Sequence, residues 1–361
     1  FLAFDGQEQK HAVMYGIKEV NDAGGIKSLG GAKLKLLDAD SEGKPDRAIS
    51  EVERLGRDGA VCITGCYQSA VGIVATQVSE KLGIPFIIGV GSAEEITERG
   101  LKYTFRTQPA SSSFSRRALS YLKEIADNSG EKIETIAYLH ESSQFGTMLA
   151  NFVEEFAPQY GMKVIKRVSY STRAADVTTE VGKIKSAHAD IIFDSGYFGD
   201  GVRVLRTMRN LRVKAKAIVG IANGCFSHSK FVGELGDKTN LIMDCNFSAD
   251  LGKPYTQEVF AGYKATFKND MTPSQVYAYT PIPVIADAIE RAGSTDPDAI
   301  RQALTKTKLE KHILPQGPLE FDEKGQSIGG NPLLHQVLNG NVEVVWPEKY
   351  ATKKPVFPAV G

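Results

Sequence analysis

Two kinds of apolar spacing alternate along this chain, and the alternation limits the possible folds more than any other feature. Helical stripes with a period of about 3.6 residues are followed by short, nearly continuous apolar runs. The stripes are Val13, Ile17 and Val20, then Ala48, Val52 and Leu55, then Val71, Val74, Ala75, Val78 and Leu82. The runs lie at 34–37, 60–64 and 85–88. Such runs are typical of strands covered on both faces, so the sequence predicts a doubly wound, parallel α/β sheet.

The same alternation starts again after the polar segment 108–113, which predicts a second lobe of the same kind. Strands are predicted at 135–139, 163–168, 191–194, 217–219 and 241–244. Helices are predicted over 258–267 and 275–292, and Pro281 and Pro283 should kink or delay the second. The tail predicts a strand at 318–322 and a hairpin over 334–345 that turns at Asn339-Gly340-Asn341.

The balance of charged residues and the absence of several sequence motifs argue against several classes of function. The 43 Lys and Arg residues balance 43 Asp and Glu residues, so no net field would attract a nucleic acid. No apolar run reaches the roughly 18 residues of a membrane span. The sequence lacks the G-x-S-x-G, H-E-x-x-H, Walker and complete G-x-G-x-x-G motifs, and its histidines form no close pair at metal-ligand spacing. We therefore expect no enzyme, no cofactor and no metal.

The cysteines and the N-terminus leave the cellular compartment open. Cys62, Cys66, Cys225 and Cys245 are too few for a disulfide scaffold. Cys225 and Cys245 each follow an apolar strand, so they either form a disulfide at the carboxyl edge of the sheet or remain buried thiols. The chain opens at Phe1 without a secretory signal, as both a mature exported protein and a cytosolic protein would.

The loops that follow the predicted strands are the candidate site, because ligands of open parallel sheets bind beyond the carboxyl ends of the strands. In the first half these loops contain Tyr67, Gln68 and Ser69, and then Val90, Gly91 and Ser92. Backbone N–H groups and hydroxyls in two neighbouring loops would converge on one carboxylate. The alternative is that Ser69 and Ser92 only cap helices.

In the second half, the corresponding loops place aromatic residues beside glycines. They contain Phe145, Tyr197, Phe198 and Asn223. The aromatic side chains would wall an apolar pocket, or they pack as ordinary core and loop residues. His140 also follows a predicted strand, and hydrolysis by Ser69 with His140 is a minor alternative, since nothing else assembles a triad.

Five short motifs stand in a fixed order among these elements. They are Asn21-Asp22-Ala23-Gly24-Gly25-Ile26, the loop 65–69, the segment 95–100, Phe105-Arg106-Thr107, and the segment 317–325. Together with the order of the elements, they resemble the periplasmic leucine/isoleucine/valine-binding proteins, which are type I solute-binding proteins of ABC importers. The likeness covers nearly the whole chain. It implies two α/β lobes of the Venus-flytrap type, joined by hinge strands, that close on one small molecule.

The resemblance also implies boundaries and roles. Lobe one would comprise 1–108 and 248–325, lobe two 111–246 and 326–361, and the hinges would lie near 108–111, 246–249 and 325–332. The family's carboxylate-holding serine falls on Ser69, its loop of amides and a hydroxyl on 90–92, and its aromatic positions on Phe145 and Tyr197.

One position departs from the family. The acid that holds the ammonium group in amino-acid binders falls on Ala222, beside Asn223. An α-amino acid would therefore need Asp194 or Asp200 as its counter-charge. Without either acid, the ligand is an aromatic or aliphatic carboxylate that has no amino group. We favour that ligand, and a hydrophobic or branched-chain amino acid stays the alternative.

The resemblance further implies a monomer in the periplasm or outside the cell, lipid-anchored or free, that delivers its ligand to an ABC permease. It implies residues before Phe1 that supply the central strand of the first sheet. A cytoplasmic ligand-sensing regulator of the same fold is the alternative, and the encoded N-terminus would distinguish the two.

Overall fold

The computed structural model describes residues 2–359, and the chain divides into two compact units. Unit 1 comprises the residues up to Pro109 together with Ala249–Gly330. Unit 2 comprises Ala110–Ser248 together with the residues from Asn331 onward. Within residues 2–359, no helix combines the length and the apolar character that crossing a membrane requires.

The first segment of unit 1 alternates helices with short strands. It contains α1 (Ala3–Asp22), α2 (Pro45–Arg57), β1 (Ile63–Gly65), α3 (Ser69–Leu82), β2 (Phe86–Ile88) and β3 (Thr104–Arg106). The three strands pair in parallel in the order β1-β2-β3, with Ile63 opposite Phe86 and Phe86 opposite Thr104. The apolar runs at 60–64 and 85–88 are thus confirmed as strands. The loops after β1 and β2 leave the same edge of this sheet.

The strand predicted at 34–37 is wrong. At the first residue of this stretch, the Asn21 amide bonds both polar backbone groups of Leu34. Asn21 Oδ1 accepts from the Leu34 N–H at 2.8 Å, and Asn21 Nδ2 donates to the Leu34 carbonyl at 2.9 Å. Backbone groups that bond a side chain in this way are not available to a strand ladder.

Unit 2 contains the larger sheet. Its first segment holds α4 (Ser111–Asn128), β4 (Thr135–Glu141), α5 (Gln144–Phe156), β5 (Lys163–Tyr170), α6 (Thr178–Lys185), β6 (Ile191–Ser195), α7 (Phe198–Asn210), β7 (Ala217–Ile221), α8 (Ser229–Leu235) and β8 (Met243–Asn246). The five predicted strands are confirmed, with small shifts at their ends. The strands β5, β4, β6, β7 and β8 lie side by side and parallel, so the loops after β4, β6 and β7 share one edge.

The chain then returns to unit 1. This segment holds α9 (Pro254–Phe267), α10 (Pro273–Tyr279), α11 (Pro281–Ala292), α12 (Pro297–Leu304), β9 (Lys308–Leu309) and β10 (Leu319–Glu320). The predicted helix over 275–292 is therefore two helices. The break falls at Thr280 because Pro281 has no N–H to continue the first helix and fits the first turn of the second.

Residues 326–330 correct the predicted lobe boundary, because they belong to unit 1. Isolated bridges join Gln326 to Arg106 and Ser327 to Phe321. The last segment of unit 2 forms β11 (Leu333–Leu338) and β12 (Asn341–Trp346), antiparallel to each other. Asn339 and Gly340 connect them with φ values of 52° and 80°, as a type I′ turn requires, so the predicted hairpin is confirmed.

Candidate functional site

The two strand-end loops of unit 1 are tied to each other. The Ala93 N–H donates to Ser69 Oγ at 3.2 Å, and the Gly91 N–H donates to the Cys66 carbonyl at 3.1 Å. Ser69 is the first residue of α3, and Gln68 holds the N-cap position. The Ser69 hydroxyl thus binds the neighbouring loop, which leaves its own proton to donate to another group. The structure brings Ser69 and the loop 90–92 together.

The start of the second loop is closely packed. A Cβ atom added at Gly89 would lie 2.6 Å from the Tyr277 carbonyl oxygen and 3.2 Å from Pro281 Cγ. The end of β2 therefore lies directly against the junction of α10 and α11. This contact fixes the backbone position from which the loop 90–92 begins.

A buried arginine lies behind this loop. Arg106, in β3, is 1% exposed. Its guanidinium donates to Ala93 O at 2.6 Å, Gly91 O at 3.5 Å, Thr97 Oγ1 at 3.2 Å and Gln326 Oε1 at 2.6 Å. Burial lowers the pKa of Arg106 to about 10, so the side chain stays charged at neutral pH. In the sequence, Arg106 stands only as part of the Phe105-Arg106-Thr107 motif, and nothing in that motif reveals its burial.

Tyr67 and Gln68 contact the helix layer of unit 1. The Tyr67 hydroxyl donates to Asp5 Oδ1 at 3.0 Å, which joins the first loop to α1. The Gln68 side chain lies against Gly43, where an added Cβ would approach Gln68 Oε1 to 2.7 Å. Both side chains help to position the loop, and their contact with a ligand stays a prediction.

In unit 2, two of the candidate aromatic residues lie against each other. The rings of Phe145 and Tyr197 stack with centroids 5.7 Å apart and an interplanar angle of 27°. The Glu141 carboxylate positions Phe145, because it accepts from Ser143 N at 2.6 Å, from Ser143 Oγ at 2.6 Å and from Gly146 N at 2.7 Å. These bonds occupy donors at the start of α5.

Asp194 and Asp200 differ in the hydrogen bonds that their carboxylate oxygens accept. Asp200 Oδ2 accepts the Tyr197 N–H at 3.0 Å and closes a capping box at the start of α7. Asp194 Oδ2 accepts from Asn223 Nδ2 at 2.6 Å, whereas Oδ1 is buried without a hydrogen-bond partner among residues 2–359. Burial, and then the charge of Asp200, raises the pKa of Asp194 well above its ordinary value. Burial raises the pKa of Asp200 to about 6.

A third buried acid, Asp244, adjoins this pair and was missed by the sequence analysis. Asp244 Oδ2 accepts from Ser227 Oγ at 2.6 Å and from Asn246 Nδ2 at 3.0 Å. Burial raises the pKa of Asp244 to about 7. The residue lies in β8, where the sequence showed only the apolar side of the strand pattern. Within residues 2–359, no cluster of these side chains has the arrangement of a metal site.

Asn223 connects the loop after β7 to this acidic region. Its Oδ1 accepts the Cys225 N–H at 2.9 Å and the Phe226 N–H at 3.3 Å, and its carbonyl accepts from Asn246 Nδ2 at 2.7 Å. The preceding residue, Ala222, has a φ of 48°, which is the left-handed region. Asn223 therefore shapes this loop, and its contact with a ligand stays a prediction.

The cysteine pair is not joined, and the disulfide alternative is therefore corrected. Cys225 and Cys245 are both free and buried. They pack in different places: a Cβ at Gly201 of α7 would lie 2.5 Å from Cys225 Cβ, whereas Cys245 Sγ lies 3.8 Å from the Phe114 carbonyl of α4. The alternative of buried thiols is the one that the structure contains.

The histidine required by the hydrolase alternative is not available as a base. His140 Nδ1 lies 2.7 Å from the Glu141 carbonyl, and Nε2 accepts from Arg167 Nε at 3.0 Å. Burial lowers the pKa of His140. Phe198, the remaining predicted aromatic residue, is buried and packs edge-on against His228 with centroids 4.9 Å apart.

A family model described as a periplasmic binding protein matches residues 2–340. The chain belongs to this family. Periplasmic binding proteins bind solutes and are not a class of enzymes. The recognition made from the sequence motifs is therefore confirmed.

Individual relatives agree with this assignment. A Leu/Ile/Val-binding protein homologue of Brucella abortus is 28% identical over 375 residues, which cover 99% of this chain and 91% of the relative. A Streptococcus pneumoniae branched-chain amino acid binding protein, solved with isoleucine, has a TM-score of 0.81 at 20% identity and covers 96% of each chain. A Rhodopseudomonas palustris solute-binding protein, solved with benzoate, has a TM-score of 0.82 at 15% identity and covers 94% of this chain and 91% of that one. The predicted fold, that of the type I periplasmic binding proteins, is confirmed.

Proposed function

We propose that this periplasmic binding protein is the substrate-binding component of an ABC importer, and that it captures a small aromatic or aliphatic carboxylate without an amino group. Unit 1 binds the carboxylate through Ser69, Ser92 and nearby backbone N–H groups. In unit 2, residues Phe145, Tyr197, Phe198 and Asn223 contact the rest of the ligand. The observation that carries the proposal is the hydrogen bond from Ala93 N to Ser69 Oγ, which joins two donor-rich strand ends.

The chemistry of these loops suits an anion. The residues 66–69 and 89–92 contain no acidic side chain. The first loop enters the N-terminus of the 14-residue helix α3, where unpaired N–H groups and the helix dipole favour negative charge. Arg106 adds a buried positive charge behind the second loop. A carboxylate at this edge would accept hydrogen bonds from the hydroxyls and N–H groups of these loops.

The acids of unit 2 support a ligand that has no amino group. A buried ammonium needs an ionised partner, since leaving it unpaired costs several kcal/mol. Ala222 offers no charge, and Asp200 already holds the Tyr197 N–H at 3.0 Å. Burial, and then the charge of Asp200, raises the pKa of Asp194 well above its ordinary value, which disfavours the ionised form that an ammonium group needs as its partner.

A hydrophobic α-amino acid is the second candidate ligand. The observation in its favour is Asp194 Oδ1, which is buried and has no hydrogen-bond partner within residues 2–359. An ammonium group that reached this oxygen would satisfy it and lower the pKa of Asp194. The isoleucine complex of the Streptococcus pneumoniae relative supports the same candidate.

A thermal-shift panel on protein that has been unfolded, dialysed and refolded separates the two ligands. The panel pairs leucine with α-ketoisocaproate, phenylalanine with phenylpyruvate, and adds benzoate. We expect the acids without an amino group to raise Tm more than the matched amino acids. A larger shift with leucine or phenylalanine than with the keto acid would overturn the choice of ligand and leave the carboxylate assignment intact.

Location, assembly and delivery belong to the same proposal. We propose a monomer that works in the periplasm and passes its ligand to a membrane permease. Cell fractionation with an antibody should recover the protein in the periplasmic or membrane-anchored fraction, and light scattering should give the mass of one chain. Recovery in the cytoplasm would instead favour the ligand-sensing regulator.

A further inference from the structure

Asp194 has one carboxyl oxygen that no group of the described chain binds. The residue is fully buried and lies in β6, one position before the end of the strand. Its Oδ2 accepts from Asn223 Nδ2 at 2.6 Å, whereas Oδ1 has no hydrogen-bond partner within residues 2–359. Buried polar atoms are nearly always paired, because leaving one unpaired costs its full desolvation energy. The free Oδ1 therefore indicates a partner that comes from outside the chain.

The polar side chains around this oxygen are already engaged. Asp200 Oδ2 accepts a backbone N–H at the start of α7. Asp244 Oδ1 accepts the Asn223 N–H at 3.3 Å, and Asp244 Oδ2 accepts from a serine hydroxyl at 2.6 Å. The neighbouring Ser195 donates its hydroxyl to the Ile221 carbonyl at 2.8 Å. None of these groups offers a donor or an acceptor to Asp194 Oδ1.

The Asn223 amide shows which oxygen of Asp194 carries the proton when the carboxyl group is neutral. Asn223 Oδ1 accepts the N–H groups of Cys225 at 2.9 Å and Phe226 at 3.3 Å, so this end of the amide is the oxygen. The nitrogen end therefore faces Asp194 and donates to Oδ2. A neutral carboxyl group that accepts at Oδ2 has its proton on Oδ1, which makes the unpaired oxygen a hydrogen-bond donor.

The surroundings of Asp194 favour this neutral form. Burial, and then the charges of Asp200 and Asp244, raise the pKa of Asp194 well above its ordinary value. The cation of this region, Arg203, acts on Asp200 and on Tyr170. The group that suits Asp194 Oδ1 is therefore an uncharged hydrogen-bond acceptor.

We propose that Asp194 is a specificity-determining residue whose Oδ1–H donates to an acceptor oxygen of the ligand, so that the ligand is a carboxylic acid with a second, uncharged oxygen, such as an α-keto acid. The donor lies where β6 ends and the chain enters Gly196 and Tyr197. It is hydrogen-bonded to Asn223, which like Tyr197 is a proposed ligand contact. The inference rests on the proposed function, because it assumes that a carboxylate without an amino group binds the protein.

The test compares acids that differ only in the keto oxygen. The probes are α-ketoisocaproate with isocaproate and phenylpyruvate with hydrocinnamate, titrated by calorimetry at neutral pH against refolded protein. The readout is the ratio of the Kd of the plain acid to the Kd of the keto acid. The variants are D194N and D194A, and D244N is the matched control. Asp244 is a buried acid of the same unit, and both of its oxygens already accept hydrogen bonds.

We expect wild type to bind the keto acids about tenfold more tightly than the plain acids, because a plain acid leaves the buried Oδ1–H unpaired. D194N should keep this ratio, since its amide can turn the oxygen towards Asn223 and the N–H group towards the ligand. D194A should lower the ratio to about one, and D244N should keep the wild-type value. If D194A does not fold, wild type and D194N still test the proposal, because a ratio near one in either contradicts it.

Four results would overturn the inference. A ratio near one in wild type would mean that solvent satisfies Oδ1, and a ratio near one in D194N would mean that no donor is needed at this position. A wild-type ratio in D194A would show that another group binds the keto oxygen. The same fall in D244N would show a general disturbance of unit 2.

A failure of the proposed function gives a different result. The wild-type protein would then bind leucine or phenylalanine more tightly than the matched keto acid, or would bind none of the acids. The inference would fall with it. Equal Kd values for a keto acid and its plain acid would instead remove the inference alone and leave the proposed carboxylate ligand in place.

Discussion

The carboxyl ends of the parallel strands carry hydrogen-bond donors in unit 1 and acidic side chains in unit 2. In unit 1, the loops after β1 and β2 present hydroxyl and N–H donors, with the buried Arg106 behind them. In unit 2, the strand ends and the first turn of α7 hold the carboxyl groups of Glu141, Asp194, Asp200 and Asp244, all buried. The same parallel architecture thus supports a donor edge in one unit and an acidic edge in the other. The position in the fold indicates where a ligand binds, and the side chains decide which ligand it is.

The two edges also differ in how many hydrogen bonds their polar side chains form within their own unit. Glu141 accepts hydrogen bonds from Ser143 and Gly146, and Asp244 accepts from Ser227 and Asn246. Ser69 accepts one N–H and keeps a proton to donate. Glu141 and Asp244 therefore contribute mainly to the structure of unit 2, whereas Ser69 keeps a proton for an outside acceptor. The following predictions test this difference, starting with the largest effect.

The double variant S69A/S92A tests the donor edge directly. It should weaken carboxylate binding by about 2 to 4 kcal/mol, because two hydrogen bonds to a charged acceptor are lost. Calorimetry with the acid that gives the largest thermal shift measures this loss. The control is S186A, since the Ser186 hydroxyl donates to the Lys183 carbonyl in unit 2. An unchanged affinity in S69A/S92A would contradict the placement of the carboxylate.

Crowding the acidic edge should destabilise unit 2. In G220A, the new Cβ would lie 2.4 Å from Asp244 Oδ1 and 2.7 Å from Asn223 Cβ, so we expect a loss of about 1 to 3 kcal/mol in the free energy of unfolding. The matched control is G182A in α6, where a Cβ meets no atom of the described residues within 4 Å. Alanine should stabilise that helix by about 0.5 to 1 kcal/mol. Urea unfolding of both variants measures the difference, and a neutral G220A would show that the edge can relax.

The acidic edge should also make unit 2 sensitive to pH. Burial raises the pKa of Asp200 to about 6 and that of Asp244 to about 7, from an ordinary value of 3.8. The folded unit therefore retains protons that the unfolded chain releases. The stability that these two carboxyls contribute is complete below about pH 4 and is lost as the pH rises through 6 and 7.

The variant D244N isolates this effect. Relative to wild type, its free energy of unfolding should rise between pH 4 and pH 8, because the asparagine has no proton to lose. D127N, which changes an exposed acid of α4, serves as the control for the same substitution outside the acidic edge. Parallel profiles for D244N and wild type would mean that Asp244 titrates alike in the folded and unfolded chains.

The smallest expected effect concerns the thiols of unit 2. Because Cys225 and Cys245 are free, a reductant should not change Tm, and alkylation in denaturant without reductant should label both residues. Protein purified from an oxidising compartment is the sample to use, and C245S is the control for assigning the labelled peptides. A reductant-dependent fall in Tm would show that a disulfide had formed.

Periodicity predicted most of the fold because most strands are buried on both faces. All five strands of the second half were found from their apolar runs. The strand predicted at 34–37 is not formed. At Leu34 the side chain of Asn21 bonds both backbone groups, and no local sequence pattern reveals such a bond. The helix predicted over 275–292 is two helices, and Pro281 correctly marked the place where they meet.

Less of the candidate site could be predicted from the sequence. Loops after strands could be located, and the contact between Ser69 and the second loop follows from adjacent parallel strands. The role of Arg106 depends on where its guanidinium points, which is set by Gln326 from a distant segment. Asp244 lies within an apolar strand, so its burial became apparent only from its partners Ser227 and Asn246. Sequence spacing locates backbone, but it does not reveal tertiary hydrogen bonds.

The tight contact at Gly89 has a consequence for engineering new ligand preferences. Because the carbonyl of Tyr277 and the ring of Pro281 fill the space beside this residue, any side chain there would displace the start of the donor loop. A mutant library aimed at altered specificity should therefore randomise positions 90 and 92 and keep glycine at 89. Selection from a library that also varied 89 should return glycine at that position, whatever molecule is used as bait.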